Sequence, residues 1–366
     1  MPLLARRVYP AVLLLVVACA TGGHRLTDEI EVLMRRYDGA VPGASLLVVH
    51  DGNPVVRRAW GMANVEDGVM ATPATNYRLA SVTKQFTAAA VLLLLEDGKI
   101  GLDDRVGRWL PSLPVAAGRV TLRQLLTHTS GIVDYEDVMP EGTSVQVHDA
   151  DVLRMLERHD STYFAPGSRY RYSNSGYALL ALVIEKASGL AFAAFLRERV
   201  FLPLGMTATV AHEEGVSTVS ARAFGYTKRA SAWTRKDQST TSAVLGDGGI
   251  YSSIDDIEKW AAAWYDSRLL SDASRSLATT PHTRTNEPGV SYGFGWRLTG
   301  ETVWHSGETS GFRNVIVRYP SRRLTVVLLT NRDDPEPYET ALAVAALYLS
   351  ARRRLWHTTP IGSLIR

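Results

Sequence analysis

A single cysteine, Cys19, in 366 residues excludes any internal disulfide, so the hydrophobic core alone must stabilise the folded chain. There is no H-E-x-x-H and no cysteine/histidine cluster, so no zinc site is suggested. A G-x-S-x-G turn is missing, which removes support for an α/β-hydrolase elbow. No glycine-rich phosphate loop occurs, and no cofactor is implied. Charge of one sign is not in excess: 40 basic residues face 37 acidic ones, for a formal net charge of +3. The basic residues are mostly scattered arginines without a stripe, which gives no footprint for nucleic acid. Internal repeats and low-complexity linkers are also absent.

What is present suits a globular protein with a substantial core, since 46% of the residues are apolar. The length allows one large domain or two ordinary ones. The long apolar run at the N-terminus reads as an export signal. Arg6 and Arg7 form a charged start, and Val8 to Ala18 is an apolar segment too short for a stable membrane anchor. Two cleavage readings compete. Ala18-Cys19-Ala20 is an A-x-A site for signal peptidase, whereas Val16-Val17-Ala18-Cys19 resembles a lipobox in which Cys19 is lipidated. Residues 1–20 are therefore expected to be removed, by cleavage before Cys19 or after Ala20. The mature protein is expected in the periplasm or cell envelope, touching membrane solely through an N-terminal lipid anchor if Cys19 is lipidated. Losing Arg6 and Arg7 leaves a net charge of about +1.

The pattern along the rest of the chain places strands at both ends and helices between. Leu26 to Tyr37 reads as an amphipathic helix. Ala44–Val49 and Pro54–Trp60 flank Asp51-Gly52-Asn53, a hairpin signal. From Ser81 to about Asp266 the pattern is mainly helical, with helices expected at Val82–Glu96, Thr121–Leu126, Ala150–Arg158, Ser175–Ala187, Ala191–Val200 and Ile254–Tyr265. Ser253 is the expected cap of the last, with Asp256 in the capping-box position. Strand character returns at Tyr292–Leu298, Thr302–His305, Phe312–Tyr319 and Arg323–Thr330, and Tyr338–Leu349 reads as a closing helix. The economical fold is one antiparallel sheet from N- and C-terminal segments, flanked by helices, with an inserted helical region. Its boundaries are expected at 26–350 for a single domain, about 81–266 for the insertion, and 351–366 for a tail.

Ser81-Val82-Thr83-Lys84 carries the chemistry. Lys84 is the one lysine with a serine three residues before it, and on a helix that spacing puts both side chains on one face. A serine hydroxyl is a weak nucleophile until a neighbour takes its proton, and an amine or a base it influences can do so. Two further short motifs follow in order, Tyr172-Ser173-Asn174 before a helix and His305-Ser306-Gly307 between strands. Taken singly, Tyr172 reads as a packed aromatic, Asn174 as a helix cap, His305 as a structural histidine, and His128 as structural at the end of the helix after Thr121.

Together these motifs resemble the penicillin-recognising serine hydrolases, in the branch of class C β-lactamases, D-alanyl-D-alanine carboxypeptidases, D-aminopeptidases and related esterases. Leu125 to Gly131, Gly248 to Ser253, Tyr292 to Trp296 and Gly311 to Asn331 are similar to stretches of that family, so the likeness covers roughly residues 26 to 350. The resemblance implies an α+β, β-lactamase/transpeptidase-like fold. It also implies a covalent acyl-enzyme on Ser81, with Lys84 and Tyr172 as catalytic partners. Either Tyr172 or Lys84 could take the first proton. Asn174 would bond Lys84 and the substrate amide. His305, Ser306 and Gly307 would line the substrate site, and the backbone N–H groups of Ser81 and Glu308 would form the oxyanion hole. The substrate would be a small molecule or peptide, including peptidoglycan-derived fragments, and a D-amino-acid peptide or an ester fits best. A class C-like β-lactamase is the alternative, and a non-catalytic penicillin- or peptidoglycan-binding protein the second. The family's β-lactamases usually carry lysine where His305 stands. Histidine is largely neutral at pH 7, so carboxylate-bearing substrates are expected to be handled better at mildly acidic pH.

Overall fold

The computed structural model describes residues 26–356, with side chains through residue 350, so Cys19 and the 1–20 segment lie outside the described residues. The core is an eight-stranded antiparallel sheet. Its strands are β1 (Ala44–His50), β2 (Asn53–Trp60), β3 (Thr283–Arg284), β4 (Val290–Tyr292), β5 (Arg297–Thr299), β6 (Thr302–Thr309), β7 (Phe312–Tyr319) and β8 (Leu324–Thr330), in the order β3-β4-β5-β6-β7-β8-β1-β2. β1 pairs with β8 from Ala44↔Thr330 to His50↔Leu324, which joins the two ends of the chain. β2 lies at an edge and is mostly exposed, which suits its Pro54 and two arginines.

Both sheet faces are covered, because the central strands alternate two apolar sets. Leu46, Val48, Val315, Val317, Val326 and Leu328 share a core with Ile30 and Met34 of α1 (26–34) and with Ala341, Val344 and Ala345 of the closing helix. Leu47, Val49, Ile316, Val327 and Leu329 face the larger core of the helical region. Burial of each such side chain contributes about 2 kcal/mol.

The inserted region contains α2 (Lys84–Glu96), α3 (Leu122–Leu126), α4 (Asp149–Leu156), α5 (Asn174–Ser188), α6 (Phe192–Leu196), the single turn α7 (Leu245–Gly248), α8 (Ile254–Ala263) and, beyond it, α9 (Asp272–Ala278). The closing helix α10 runs Tyr338–Trp356, past the expected end at Leu349.

Several expectations are corrected. Helix α6 widens into a π-turn at Arg197–Phe201 and then continues as Leu202–Leu204, where Pro203 supplies no N–H. The expected strand Tyr292–Leu298 is split: β4 and β5 are joined through Gly293-Phe294-Gly295-Trp296, with Gly295 at φ +72°. A side chain there would meet Lys84 O at 2.6 Å, so the turn needs glycine to lie against the start of α2. Short strands also occur: Ile250–Ser252 and Val210–Ala211 of the insertion form a small sheet with Tyr77–Arg78, which precedes it. Ser253 caps α8 by accepting from Asp256 N, but the Asp256 carboxylate accepts from Ala208 N and Thr209 Oγ1 instead of closing a capping box.

Candidate active site

The chain turns sharply before Ser81. Ala80 takes φ +51°, a left-handed conformation that costs a residue with a Cβ about 1 kcal/mol. Neighbouring bonds hold it there: Leu79 N donates to Ile250 O at 2.8 Å, and Asn314 Nδ2 donates to Arg78 O at 2.7 Å. Ser81 follows in a 3-10 turn, Ala80–Thr83, that leads directly into α2. Helical backbone thus starts two residues before the expected Val82, and Lys84 remains three residues from Ser81 on the same side.

Lys84 is completely buried, and its Nζ has three partners: Ser81 Oγ at 3.1 Å, Asn174 Oδ1 at 2.9 Å and the carbonyl of Asp247 at 2.9 Å. Two of these are obligate acceptors. The third is a hydroxyl, which takes either role. An ammonium can therefore donate all three bonds. A neutral amine can donate two and turn its lone pair toward the Ser81 proton.

Asn174 reaches Lys84 because a different residue caps the helix. Ser173 is the N-cap, accepting from Gly176 N at 3.2 Å, and Asn174 is the first residue of α5. The Asp134 carboxylate also accepts from Asn174 N at 2.7 Å and Ser175 N at 3.3 Å. The Asn174 amide then spans Lys84 on its oxygen and Glu136 Oε1, at 3.3 Å, on its nitrogen. Burial, aided by the charge of Asp134, raises the Glu136 pKa above its ordinary value.

Tyr172 lies beside this group. Lys84 Nζ is 4.9 Å from the centre of its ring, and its buried hydroxyl has no hydrogen-bond partner among the described residues. The ring is held by His128, whose centroid is 4.3 Å away. His128 also accepts from Ser173 N on Nδ1 at 3.0 Å, and burial keeps its pKa well below the ordinary value. A residue read as structural therefore positions the Tyr172-Ser173-Asn174 loop.

β6 passes along the other side of Ser81. A Cβ on Gly307 would sit 2.1 Å from Leu79 O and 3.0 Å from Ser81 N, so glycine is what lets the strand approach this turn. Ser306 is half-buried, and the exposed Glu308 carboxylate bonds Arg313 Nη2 at 2.6 Å. His305 does not offer a ring nitrogen to the cleft. It is 1% exposed, its Nδ1 lies 2.6 Å from the Ser306 carbonyl, and its Nε2 lies 2.9 Å from Tyr292 Oη. Nδ1 donates to that carbonyl, and Nε2 shares a hydrogen bond with the tyrosine hydroxyl, which takes either role. Burial keeps its pKa well below 6.5. This corrects the expectation that His305 becomes charged at mild acidity and receives a carboxylate.

The cleft wall includes Ser81, Tyr135, Glu136, Asn174, Asp247 and Glu308. Asp134, Tyr135, Glu136 and Asp247 were not singled out from the sequence. Gly246-Asp247-Gly248-Gly249 was the one available signal, because clustered glycines mark places where backbone must come close. Among the described residues no group of three or more His, Cys, Asp or Glu could hold a metal ion. A larger surface groove lies at residues 284–291, where Glu287 pairs with Arg297.

A family model described as β-lactamase matches residues 26–350. The penicillin-binding protein 4* of Bacillus subtilis (strain 168) is 32% identical over 324 residues, covering 83% of this chain and 71% of the relative. A D-aminopeptidase of Gluconobacter oxydans (strain 621H) is 29% identical over 334 residues, covering 88% of this chain and 61% of its own length. This chain thus spans about three-fifths of that enzyme. The crystal structure of D-amino acid amidase from Ochrobactrum anthropi SV3, complexed with L-phenylalanine amide, superposes with a TM-score of 0.77 at 25% identity over 90% of this chain and 99% of the amidase.

Proposed function

We propose, from the premise that this chain belongs to the β-lactamase family, that it hydrolyses an amide or ester through a covalent acyl-enzyme on Ser81. The observation that carries this reading is the buried Lys84 amine, held between Ser81 Oγ, Asn174 Oδ1 and the Asp247 carbonyl. Ser81 Oγ attacks the carbonyl carbon while its proton passes to Lys84 or Tyr172. The same proton then goes to the leaving group, and water attacks the ester in the second half-reaction. The Ser81 and Glu308 backbone N–H groups would receive the developing oxyanion.

The substrate class favoured is a D-amino-acid amide, peptide or ester with a free amine. Glu136 is an acidic group on the cleft wall, bonded to Asn174 Nδ2 at 3.3 Å. Arg78, the cation on that wall, is buried and occupied by Gln238 and the Ser242 carbonyl. Burial disfavours a charged His305, so the site suits a substrate ammonium group more than a substrate carboxylate. The names of two relatives, a D-aminopeptidase and a D-amino acid amidase, agree with this. Export to the cell envelope is part of the same reading, supported by the apolar run Val8 to Ala18.

The test is labelling with a fluorophosphonate, followed by peptide mass spectrometry and turnover of D-amino-acid p-nitroanilides, p-nitrophenyl esters and nitrocefin. The expected result is a single adduct on Ser81, amide or ester turnover exceeding nitrocefin turnover, and loss of both label and turnover in Ser81→Ala. No adduct and no turnover would replace an enzyme with a silent binding protein.

A further inference from the structure

Arg318, on β7, is a buried cation without an anion. It is 3% exposed. Its guanidinium lies 4.9 Å from the Tyr265 ring centre, 5.4 Å from Trp264 and 5.5 Å from Trp296. Among the described residues no carboxylate or carbonyl bonds it, and its Nε has no partner. The other deeply buried arginines differ. Arg78 donates to Gln238 Oε1 and the Ser242 carbonyl, and Arg332 donates to the carbonyls of Asp334 and Arg36. Arginine does not shed its proton in a protein. Attraction to three ring faces offsets part of the desolvation cost, and a counter-ion would offset the rest.

The polar atoms packed around it carry no negative charge. Trp264 Nε1, Trp296 Nε1 and Tyr265 Oη are all buried and unpartnered. The two indole N–H groups and Arg318 Nε are donors, and the Tyr265 hydroxyl faces the guanidinium as a neutral acceptor, so the charge still lacks an anion. Beside it opens a cavity of about 450 Å³, walled by Trp264, Tyr265, Arg275, Ser276, Thr279 and Arg318. Such a volume falls in the range of small-molecule sites. Arg275 adds a second guanidinium. The one acid on the wall, Asp272, is exposed and paired with Arg275. No wall residue is shared with the Ser81 cleft.

We propose that this cavity binds a small carboxylate carried on an apolar or aromatic body. Arg318 is its charge partner. The Trp264 and Tyr265 rings contact the apolar part. The site stands apart from the chemistry proposed at Ser81 and does not depend on it.

The test is titration of the purified full chain with benzoate and, separately, with inorganic phosphate, followed by calorimetry and tryptophan fluorescence. Benzoate is expected to saturate with quenching of the indole emission, and phosphate to bind more weakly. Binding should weaken about tenfold or more in Arg318→Gln, the effect of losing one charge-assisted bond. Trp264→Phe keeps an aromatic wall of smaller area, and should weaken binding by a smaller factor. If Arg318→Gln fails to fold, Trp264→Phe and Tyr265→Phe decide the matter. Absence of saturable benzoate binding, or equal affinity in the parent and the folded variants, would overturn the proposal and leave buried water as the occupant. Tighter binding of phosphate than of benzoate would overturn the apolar body.

Discussion

At the scale of the residue, Lys84 and Tyr172 share one environment but make different contacts. Lys84 uses every direction of its amine on the protein, whereas the Tyr172 hydroxyl is buried with no protein partner. A hydroxyl left in that condition is available to a reacting group. Tyr172→Phe removes it while keeping the ring stacked on His128, so the fold should survive. Turnover is expected to fall by a factor of about 10² to 10⁴, the usual contribution of a positioned acid or base. Comparing kcat of the variant with the parent on a p-nitrophenyl ester, at equal melting temperature, checks this. Ser81, Lys84 and Tyr172 could be singled out from the sequence because each belongs to a short motif with a chemical reason. Glu136 and Asp134 could not, since no spacing links them to Asn174. His305 was visible as a residue, but its burial against Tyr292 was not, because Tyr292 lies on a separate strand.

At the scale of the element, the site depends on backbone approaching backbone. β6 reaches the Ser81 turn through Gly307, and the Gly295 turn reaches the start of α2. Gly307→Ala must move Leu79 or the strand, since its Cβ would lie 2.1 Å from Leu79 O. Overpacking of this kind costs about 1 to 3 kcal/mol, and it would displace the Glu308 amide proposed for the oxyanion hole. The expected outcome is a lower melting temperature together with a loss in kcat of about tenfold or more. A variant with unchanged kcat would remove Gly307 from the site. The turn α7 is held similarly: the Asp149 carboxylate accepts from Leu245 N at 2.9 Å and Gly246 N at 3.1 Å, which fixes the Asp247 carbonyl on Lys84. Helix and strand positions were legible from periodicity. The split at Gly295 and the π-turn before Pro203 were not, because each depends on what packs against the chain there.

At the scale of the whole molecule, two buried carboxyls set a pH dependence. Burial is the leading cause that pushes Asp149 up to about 7 and Asp247 up to about 8, from an ordinary value of 3.8. Between those values the folded chain holds protons that the unfolded chain has released. Their contribution to stability is therefore full below about pH 4 and is lost as pH rises toward 8. Buried His128 and His305 act in the opposite sense, since their lowered pKa values remove stability as pH falls below 6.5. Asp247→Asn stays neutral throughout, so its melting temperature relative to the parent should climb between about pH 5 and pH 8. Parallel profiles would show that Asp247 does not titrate there. The sequence by itself determined the order of strands and helices, the alternating faces of the sheet, and the family-like motifs with Ser81 and Lys84. The first two are local patterns that burial and element spacing impose, whereas the motifs were legible through their resemblance to a family. The tertiary structure alone decided that Ser173 rather than Asn174 caps α5, that His305 is neutral, that Asp247 lends its carbonyl to Lys84, and that Arg318 lies among three rings without an anion. Each of these depends on groups far apart in sequence, whose charge and hydrogen bonds are set by the low-dielectric space that folding builds around them.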